Sequence, residues 1–318
     1  MRNNTLDLVK LIACGFVICL HVAGFPELPS WGQNSIFLLS RWAVPFFFIV
    51  SGYYLGAKGS LDVLKKIKKI ICIYLFASLL YLSFIFVKSR FNIMTVISDG
   101  LSPSVFIFGP YFHLWFLIAL IYGSLGLLFF IDNSRGFVPI VLSVIIILTC
   151  WCFDLLKSAG VDVGAFYVMR SLNSFAFMWF GILIYRKKHR IKISSSLFII
   201  VLSSFMMVAE PLPLNYLFGF DSSARQFPLF SAPLVYGVLM LSLSVRCDES
   251  TATRIGRDYS LGVYIIHPMW IYVLYKFLPS GYSTPSILIV TLTFILCVSS
   301  LFITRKVTPK IFRLINGA

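Results

Sequence analysis

The first apolar stretch of the chain, residues 5–24, is long enough to span a membrane and carries three ionisable side chains, Asp7, Lys10 and His21. In a helix with 100° per residue, all three lie on one face, with Lys10 and His21 about 16 Å apart along the axis. An ionisable residue at the centre of a membrane helix costs about 3 kcal/mol and normally faces protein or water. The pattern predicts a polar inner face on this helix. In the alternative interpretation, Asp7 and Lys10 lie at the cytoplasmic interface and reach the headgroups.

Later apolar stretches also contain side chains that suit acid–base chemistry or the binding of anions. These residues are Arg41, His113, Trp115, Arg170, Asn173, Glu210, Tyr264 and His267. An imidazole, whose ordinary pKa is about 6.5, can accept a proton near neutral pH. A guanidinium can stabilise negative charge that develops on an oxygen atom. These side chains are therefore candidates for a site inside a helix bundle.

Each candidate also has an interpretation that involves no chemistry. Arg41 could extend to the outer headgroups, and His113 could belong to the aromatic belt at the membrane interface. Glu210 precedes Pro211 and could be a carboxylate at the edge of a loop, and His267 could be a hydrogen-bonded core residue. His21, aligned with Lys10, has the weakest alternative of this kind and is the best single candidate.

The composition indicates that membrane helices position these side chains. Of the 318 residues, 59% are hydrophobic and 12% are charged, whereas about 25% charged is usual in soluble domains. We therefore predict an all-α, polytopic protein that lies in the lipid bilayer. The net charge of +15 does not indicate nucleic-acid binding, because the basic residues cluster in short segments between apolar stretches.

The predicted spans cover most of the chain and define its orientation. About ten are expected, at 5–24, 36–56, 70–87, 104–131, 137–153, 168–185, 195–210, 228–245, 259–278 and 285–304. The fourth contains Gly109 and Pro110, so its start could be interfacial. With both termini in the cytoplasm, nineteen basic residues lie inside and six outside, as the positive-inside rule requires. No connection is long enough for a soluble domain, so residues 1–318 are predicted to form a single transmembrane domain with no appended one.

This orientation places most candidates near the outer end of the bundle. Because each would be costly against lipid, a shared cavity is the economical arrangement. His267 is the exception, since it lies only about 12 Å from the cytoplasmic boundary. Pro268 removes a backbone hydrogen bond, which should kink the helix and expose carbonyl groups to a cavity.

Motifs of several soluble enzyme classes are absent from the sequence. It contains no P-loop, GxSxG or HExxH and no GxGxxG after a strand, so nucleotide hydrolysis, hydride transfer and zinc proteolysis have no support. The seven cysteines lack metal-ligand spacing and are interpreted as small buried hydrophobes, so no metal site is predicted. Ser51-Gly52 is interpreted as a close-packing point between helices.

Four segments carry a resemblance to a known family. They are LDLVKLIACGFVICLH, RWAVPFFFIVSGYYLG, FHLWFLIALIY and RDYSLGVYIIHPMW. In these segments, and in the order of its spans, the chain resembles the membrane acyltransferase-3 family. That family includes bacterial O-acetyltransferases that modify surface polysaccharides of the O-antigen and common-antigen type.

The resemblance implies a multi-pass enzyme of the bacterial inner membrane. Such an enzyme takes an acetyl group from cytoplasmic acetyl-CoA and delivers it to a sugar hydroxyl of a surface polysaccharide or its polyprenyl-linked precursor. The family's first-helix basic residue and histidine correspond to Lys10 and His21, and its second-helix arginine corresponds to Arg41. Because the family usually has arginine at the position of Lys10, a bidentate contact is lost there while the point charge remains.

Acyl transfer to a hydroxyl group assigns roles to the candidates. His21 is predicted to be the base or a transient acyl carrier, and Arg41 the partner of the oxyanion. His267 is a second candidate base. The predicted binding residues for substrate are Asp7, Lys10, His113, Trp115, Arg170, Asn173 and Tyr264. Basic clusters at residues 65–69 and 186–192 could attract the phosphates of coenzyme A, although membrane topology predicts the same charges.

Two other classes of protein fit part of the pattern. A transporter or flippase for a lipid-linked sugar would also need many helices, buried charges and a kinked helix. A polymerase of surface polysaccharide typically needs long outer loops, and the predicted loops are short. The sequence leaves open which sugar, hydroxyl and acyl group are involved, and it leaves open the oligomeric state.

Overall fold

The structure is a computed structural model that describes residues 3–22, 24–100, 102–132, 136–221, 223, 225–278 and 284–316. None of these residues lies in a β-strand, and the all-α prediction is confirmed. The α-helices are α1 (Asn4–Cys19), α2 (Ser30–Ser40), α3 (Ala43–Tyr53), α4 (Ser60–Lys88), α5 (Ile93–Gly100), α6 (Val105–Phe108), α7 (Trp115–Leu128), α8 (Phe137–Ser158), α9 (Ala165–Arg186), α10 (Ile193–Ala209), α11 (Pro211–Phe218), α12 (Ser231–Ser244), α13 (Thr251–Asp258), α14 (Ser260–Phe277), α15 (Ser286–Val307) and α16 (Pro309–Asn316).

Six helical segments have the length and hydropathy of membrane spans. Within the described ranges they are Ser30–Tyr53, which combines α2 and α3, Ser60–Lys88, Phe137–Ser158, Ala165–Arg186, Ile193–Phe218 and Ser286–Val307. Phe112–Leu128 and Ser231–Ser244 are shorter apolar helices. The first predicted span, residues 5–24, is shorter than expected because α1 ends at Cys19. These helices identify the chain as an integral membrane protein.

The fourth predicted span, 104–131, is not one helix. The four-residue helix α6 ends at Phe108 and is followed by Gly109, whose φ of 77° is accessible to glycine without strain. A 3₁₀ turn, Phe112–Leu114, then leads into α7. The expected interruption at Gly109 and Pro110 therefore occurs, and it leaves His113 in the irregular turn ahead of α7.

Glycine residues allow α3 and α9 to cross at very short range. A Cβ atom added to Gly52 would lie 1.9 Å from the Met178 carbonyl oxygen, and one added to Gly181 would lie 2.1 Å from the Ile49 carbonyl oxygen. Small residues of this kind let membrane helices approach backbone to backbone. Ser51-Gly52 is thus at a close-packing point between helices. The crossing holds α9, which carries Arg170, against α3, which begins two residues after Arg41.

The relative height of α1 and α14 is set by the short helix α13. Gly256 of α13 lies directly against the backbone of Asp7, where an added Cβ atom would be 1.8 Å from the Asp7 carbonyl oxygen. The next helix therefore begins beside the middle of α1, and the Cys14 thiol contacts the Ser260 carbonyl oxygen at 3.5 Å. His21 and His267 each follow these two contact residues by seven positions, which corresponds to about 10 Å of helix rise.

Candidate functional site

The imidazole of His267 is oriented by the proline that follows it. Pro268 has no N–H group, so the Tyr264 carbonyl lacks its usual helical partner. His267 Nδ1 lies 2.7 Å from that carbonyl oxygen and 3.2 Å from the Val263 carbonyl oxygen. A carbonyl only accepts hydrogen bonds, so Nδ1 carries a proton, and in the neutral imidazole Nε2 has the lone pair. The prediction that Pro268 leaves a carbonyl exposed to a cavity is therefore wrong, since the His267 side chain donates a hydrogen bond to that carbonyl.

His113 is held in the same way by the next carbonyl along α14. Its Nε2 lies 3.1 Å from the Ile265 carbonyl oxygen, which also accepts a hydrogen bond of 2.7 Å from the Tyr81 hydroxyl. The Tyr264 hydroxyl donates to the backbone carbonyl of His113. The His113 side chain is fully buried within the protein. Its Nδ1 keeps the lone pair and has no hydrogen-bond partner among the described residues.

Three imidazoles form one cluster. The ring centroids of His21 and His267 are 5.0 Å apart, and those of His113 and His267 are 5.5 Å apart. The ring centroids of Phe112 and His21 are 5.1 Å apart. The prediction that His267 lies closer to the cytoplasm than the other candidates is wrong. The short helix α13 places the start of α14 beside Cys14, and His267 therefore lies at the level of His21.

His21 belongs to the wall of a cavity of about 370 Å³. Arg41 and Arg170 line the same cavity, which we call the arginine cavity. The predicted site residues that line it are His21, Arg41, Trp115, Arg170 and Asn173. Sequence reasoning predicted their convergence from the cost of polar groups in lipid, and the tertiary structure places them together.

The cations of the arginine cavity rest on aromatic faces. The Arg170 guanidinium lies 4.0 Å from the ring centroid of Trp115, and its Nη1 donates to Gln226 Oε1 at 2.8 Å. The Arg41 guanidinium lies 3.9 Å from the ring centroid of Phe37, one helical turn earlier. Stacking of this kind fixes a planar guanidinium without neutralising its charge.

A buried ionic cluster supports one wall of the cavity. Arg225 has a side chain that is 1% exposed, and it pairs with Glu210 at 2.5 Å and with Asp154 at 3.6 Å. Backbone N–H groups of Gln226 and Phe227 donate to Asp154, and the N–H of Leu229 donates to Glu210. The cluster therefore fixes the segment that presents Gln226 to Arg170.

The sequence did not predict this cluster. Glu210 was a candidate with the alternative of a carboxylate at the edge of a loop, and nothing in the sequence paired it with Arg225 or Asp154. Glu210 is buried and accepts a further hydrogen bond of 2.7 Å from the Trp151 indole N–H. Asp154 lies near the end of a predicted span, and such a position was the only signal in the sequence that could have identified it.

Lys10 and Tyr264 do not line the arginine cavity. They line a second cavity of about 210 Å³ together with Ser51, Tyr54 and Ser260, which we call the lysine cavity. Lys10 pairs with Asp7 at 2.9 Å and lies 5.1 Å from the ring centroid of Tyr54. Asp7 is 2% exposed, and the side chain of Lys10 is 18% exposed, so the protein surrounds most of this pair. Asp7 itself lines neither cavity.

An aromatic layer separates the two cavities. Phe48 belongs to the wall of the arginine cavity, and Phe47 and Phe116 belong to that of the lysine cavity. The rings of Phe48 and Phe116 stack with their centroids 5.0 Å apart, and those of Phe47 and Phe116 are 6.1 Å apart. Lys66 donates to the Ser51 hydroxyl at the lysine-cavity side. In the part of the chain that the structure covers, no group of three or more His, Cys, Asp or Glu side chains could hold a metal ion.

Comparison with known families defines the class of protein. The model of the acyltransferase-3 family, described as an acyltransferase domain, matches residues 3–304. The chain belongs to this family. The family resemblance inferred from the four sequence segments is thereby confirmed.

The curated relatives of this chain are named as racemases. An amino-acid racemase of Enterococcus faecalis is 26% identical over 346 residues, which cover 96% of this chain and 47% of the racemase. A serine/alanine racemase of Enterococcus gallinarum is 24% identical over 292 residues, which cover 84% of this chain and 41% of that protein. The chain therefore spans less than half the length of these relatives. No solved structure matches it.

Proposed function

We propose that the protein is an O-acetyltransferase of the bacterial inner membrane, which transfers an acetyl group from cytoplasmic acetyl-CoA to a sugar hydroxyl. The acceptor is a surface polysaccharide or its lipid-linked precursor, of the O-antigen or common-antigen type. The observation that carries this proposal is the arginine cavity, where an imidazole and two guanidinium groups meet inside a membrane acyltransferase.

His21 is the general base in this mechanism. It takes the proton of the acceptor hydroxyl as the hydroxyl oxygen attacks the carbonyl carbon of the thioester. Arg41 binds the negative charge that develops on the carbonyl oxygen. The C–S bond then breaks, the proton passes from His21 to the leaving thiolate, and the products are the sugar acetate and coenzyme A. His267, with its lone pair on Nε2, is the second candidate base.

The lysine cavity is the route of the donor. Its wall includes Lys10 and Ser51, and Lys66 adds a further cation at Ser51. Anionic phosphates of coenzyme A would stay at this end, where basic residues are frequent, while the pantetheine arm extends toward the arginine cavity. Passage requires the layer of Phe47, Phe48 and Phe116 to open.

The proposed topology keeps ten membrane passages and both termini in the cytoplasm, with residues 1–318 acting as one domain. Contacts at the two ends of the chain support it. Asn3 donates to the Ser242 carbonyl at 3.0 Å, and Asn316 accepts from the backbone N–H of Gly262 at 3.0 Å. Ser242 and Gly262 lie at the ends of α12 and α14 that are joined through α13. The racemase activity named for the relatives is not proposed, because more than half of each racemase lies outside the match.

The test is acetyl transfer by the purified protein in nanodiscs. Radiolabelled acetyl-CoA and extracted surface glycolipid are supplied, and label in the glycolipid and free thiol are followed together. We expect label transfer by the wild type and loss of it in His21→Ala. His189→Ala is the matched control, since His189 is exposed and bonds to the Tyr236 hydroxyl away from the cavity.

Three results are informative. Normal acetylation by a folded His21→Ala variant would refute the role of His21. Thiol release without glycolipid label would support acetyl-CoA as donor and contradict the acceptor. Absence of both signals from folded wild type over a panel of acceptors would favour the transporter or flippase class.

A further inference from the structure

The arginine cavity holds more positive charge than its surroundings compensate. Arg41 and Arg170 both line it, and no carboxylate is among the described residues of its wall. The nearby carboxylates of Asp154 and Glu210 pair with Arg225 and accept backbone N–H groups of the supporting segment. Two carboxylates thus lie near three arginines, and both of them pair with Arg225.

Neither cavity arginine is satisfied by the protein. Within the described ranges, the Nε atoms of Arg41 and Arg170 are buried without a hydrogen-bond partner. Arg41 contacts the face of Phe37, and Arg170 contacts the face of Trp115 and the neutral amide of Gln226. These contacts orient the two guanidinium groups but do not balance their positive charge, which remains available to an anion.

Asn173 adds an unsatisfied amide to the same wall. It is 3% exposed, and among the residues described no nitrogen or oxygen atom bonds to its Nδ2 or Oδ1, while the Cys150 thiol is its polar neighbour. Buried polar groups without partners are rare in folded proteins, and each calls for a ligand or water. Asn173 lies one turn beyond Arg170 on α9, so both side chains lie on the same face of the helix and line the same cavity.

Leaving a buried charge without a counter-charge is costly, whereas an anion that binds there offsets the cost. The planar fork of arginine matches the oxygens of carboxylate and phosphate. Resting on the proposed function, in which Arg41 binds the oxyanion, we propose that the acetyl acceptor is anionic, and that its carboxylate or phosphate group binds at Arg170. Asn173 and Gln226 then bind hydroxyl or amide groups of the neighbouring sugar. A neutral glycan without a nearby phosphate is a poor acceptor.

The competing assignment gives these arginines to the phosphates of coenzyme A. It is less consistent with the cavity walls, because the lysine cavity lies on the other side of the aromatic layer with cations of its own. If Arg170 binds the acceptor, its substitution raises KM for the acceptor. If Arg170 binds the phosphates of coenzyme A, its substitution raises KM for acetyl-CoA.

The experiment measures acetylation by the wild type on three forms of one acceptor in nanodiscs. The forms are the native glycolipid, the same glycolipid with its sugar carboxylates reduced to alcohols, and the oligosaccharide freed of lipid phosphate. We expect KM to rise about tenfold when the recognised anion is removed, the size expected for losing a hydrogen bond to a charged group. A rise on carboxylate reduction identifies a sugar acid, and a rise only on removal of phosphate identifies the lipid-linked diphosphate or monophosphate.

Variants locate the anion site. Arg170→Gln should raise KM for the charged acceptor about tenfold while leaving KM for the neutral form and for acetyl-CoA unchanged. Arg170→Lys should recover part of that loss, because it keeps the charge without the fork. Arg254→Gln is the matched control, since that side chain is 61% exposed in α13, away from the cavity.

Equal use of charged and neutral acceptors by the wild type overturns the inference, as does an Arg170→Gln variant in which only KM for acetyl-CoA rises. Acetylation that is indifferent to charge refutes this inference and leaves the proposed function intact. Failure of the wild type to acetylate any acceptor refutes the proposed function, and the inference with it.

Discussion

The crossing of α3 and α9 gives a prediction whose size follows from backbone distances. In Gly181→Ala the new Cβ atom would meet the Ile49 carbonyl oxygen at 2.1 Å and the Tyr53 backbone nitrogen at 2.6 Å. Neither atom belongs to a flexible side chain, so α3 and α9 must separate by about 1 Å. Overpacking of this kind costs about 3 kcal/mol at the upper end of its usual range. Replacing a helical glycine by alanine returns about 1 kcal/mol, so the net destabilisation is about 2 kcal/mol.

Gly15→Ala is the matched control. Gly15 also lies within a helix, and an added Cβ atom there meets no atom within 4 Å. It should be neutral or stabilising by up to about 1 kcal/mol. Thermal unfolding of both purified variants in one detergent, followed by loss of the monodisperse peak, measures the difference.

Gly181→Ala should also reduce activity more than the loss of stability at the assay temperature explains, because α9 carries Arg170 and Asn173 while Arg41 lies two residues before α3. A Gly181→Ala protein that is as stable as Gly15→Ala would refute the backbone contact between these helices. Wild-type stability of Gly181→Ala combined with loss of acetyl transfer would instead indicate that Gly181 has a role other than helix packing.

The remaining predictions concern orientation, the buried cluster and acid stability. Pro268→Ala restores an N–H donor to the Tyr264 carbonyl, which then competes with His267 Nδ1. The substitution should raise thermal stability, since an interior helical proline costs about 3 kcal/mol, and it should lower kcat several-fold. Higher stability with unchanged kcat would show that catalysis does not require this orientation of the His267 imidazole. Glu210→Gln leaves Arg225 with less counter-charge and should cost about 3 kcal/mol by thermal unfolding, whereas the exposed Glu249→Gln should have little effect; equal effects of the two would contradict a buried pair. Burial raises the pKa of the Asp258 carboxyl, but hydrogen bonds from Arg257 and Arg305 outweigh it and hold that pKa below its ordinary value. Because the folded pKa is depressed, this stabilisation is present above the unfolded pKa and is lost as pH falls through the folded value. Asp258→Asn should therefore be less stable than wild type at pH 7 and should converge with it in acid; a constant difference down to about pH 3 would contradict the pairing.

The sequence alone determined the class of structure and most members of the site. An apolar chain with few charges can satisfy its backbone in lipid through helices, so the all-α membrane fold followed from composition. Charged and imidazole side chains are too costly to face lipid, and this cost identified His21, Arg41 and Arg170 as neighbours before their positions were known. Pro268 likewise identified a place where a helical carbonyl would need another partner.

Only the tertiary structure decided the height of each helix and the partners across long sequence distances. The depth of His267 could not be read from its own span, because α13 packs on Asp7 and moves α14 up beside Cys14. The same spacing of eleven residues that aligned Lys10 with His21 on one face did not put them in one cavity, since the Phe48–Phe116 layer lies between the two cavities. Glu210, Arg225 and Asp154 meet across three segments of the chain. Local periodicity reports which face of a helix is buried, whereas the contacts that pair those faces depend on the packing of the whole bundle.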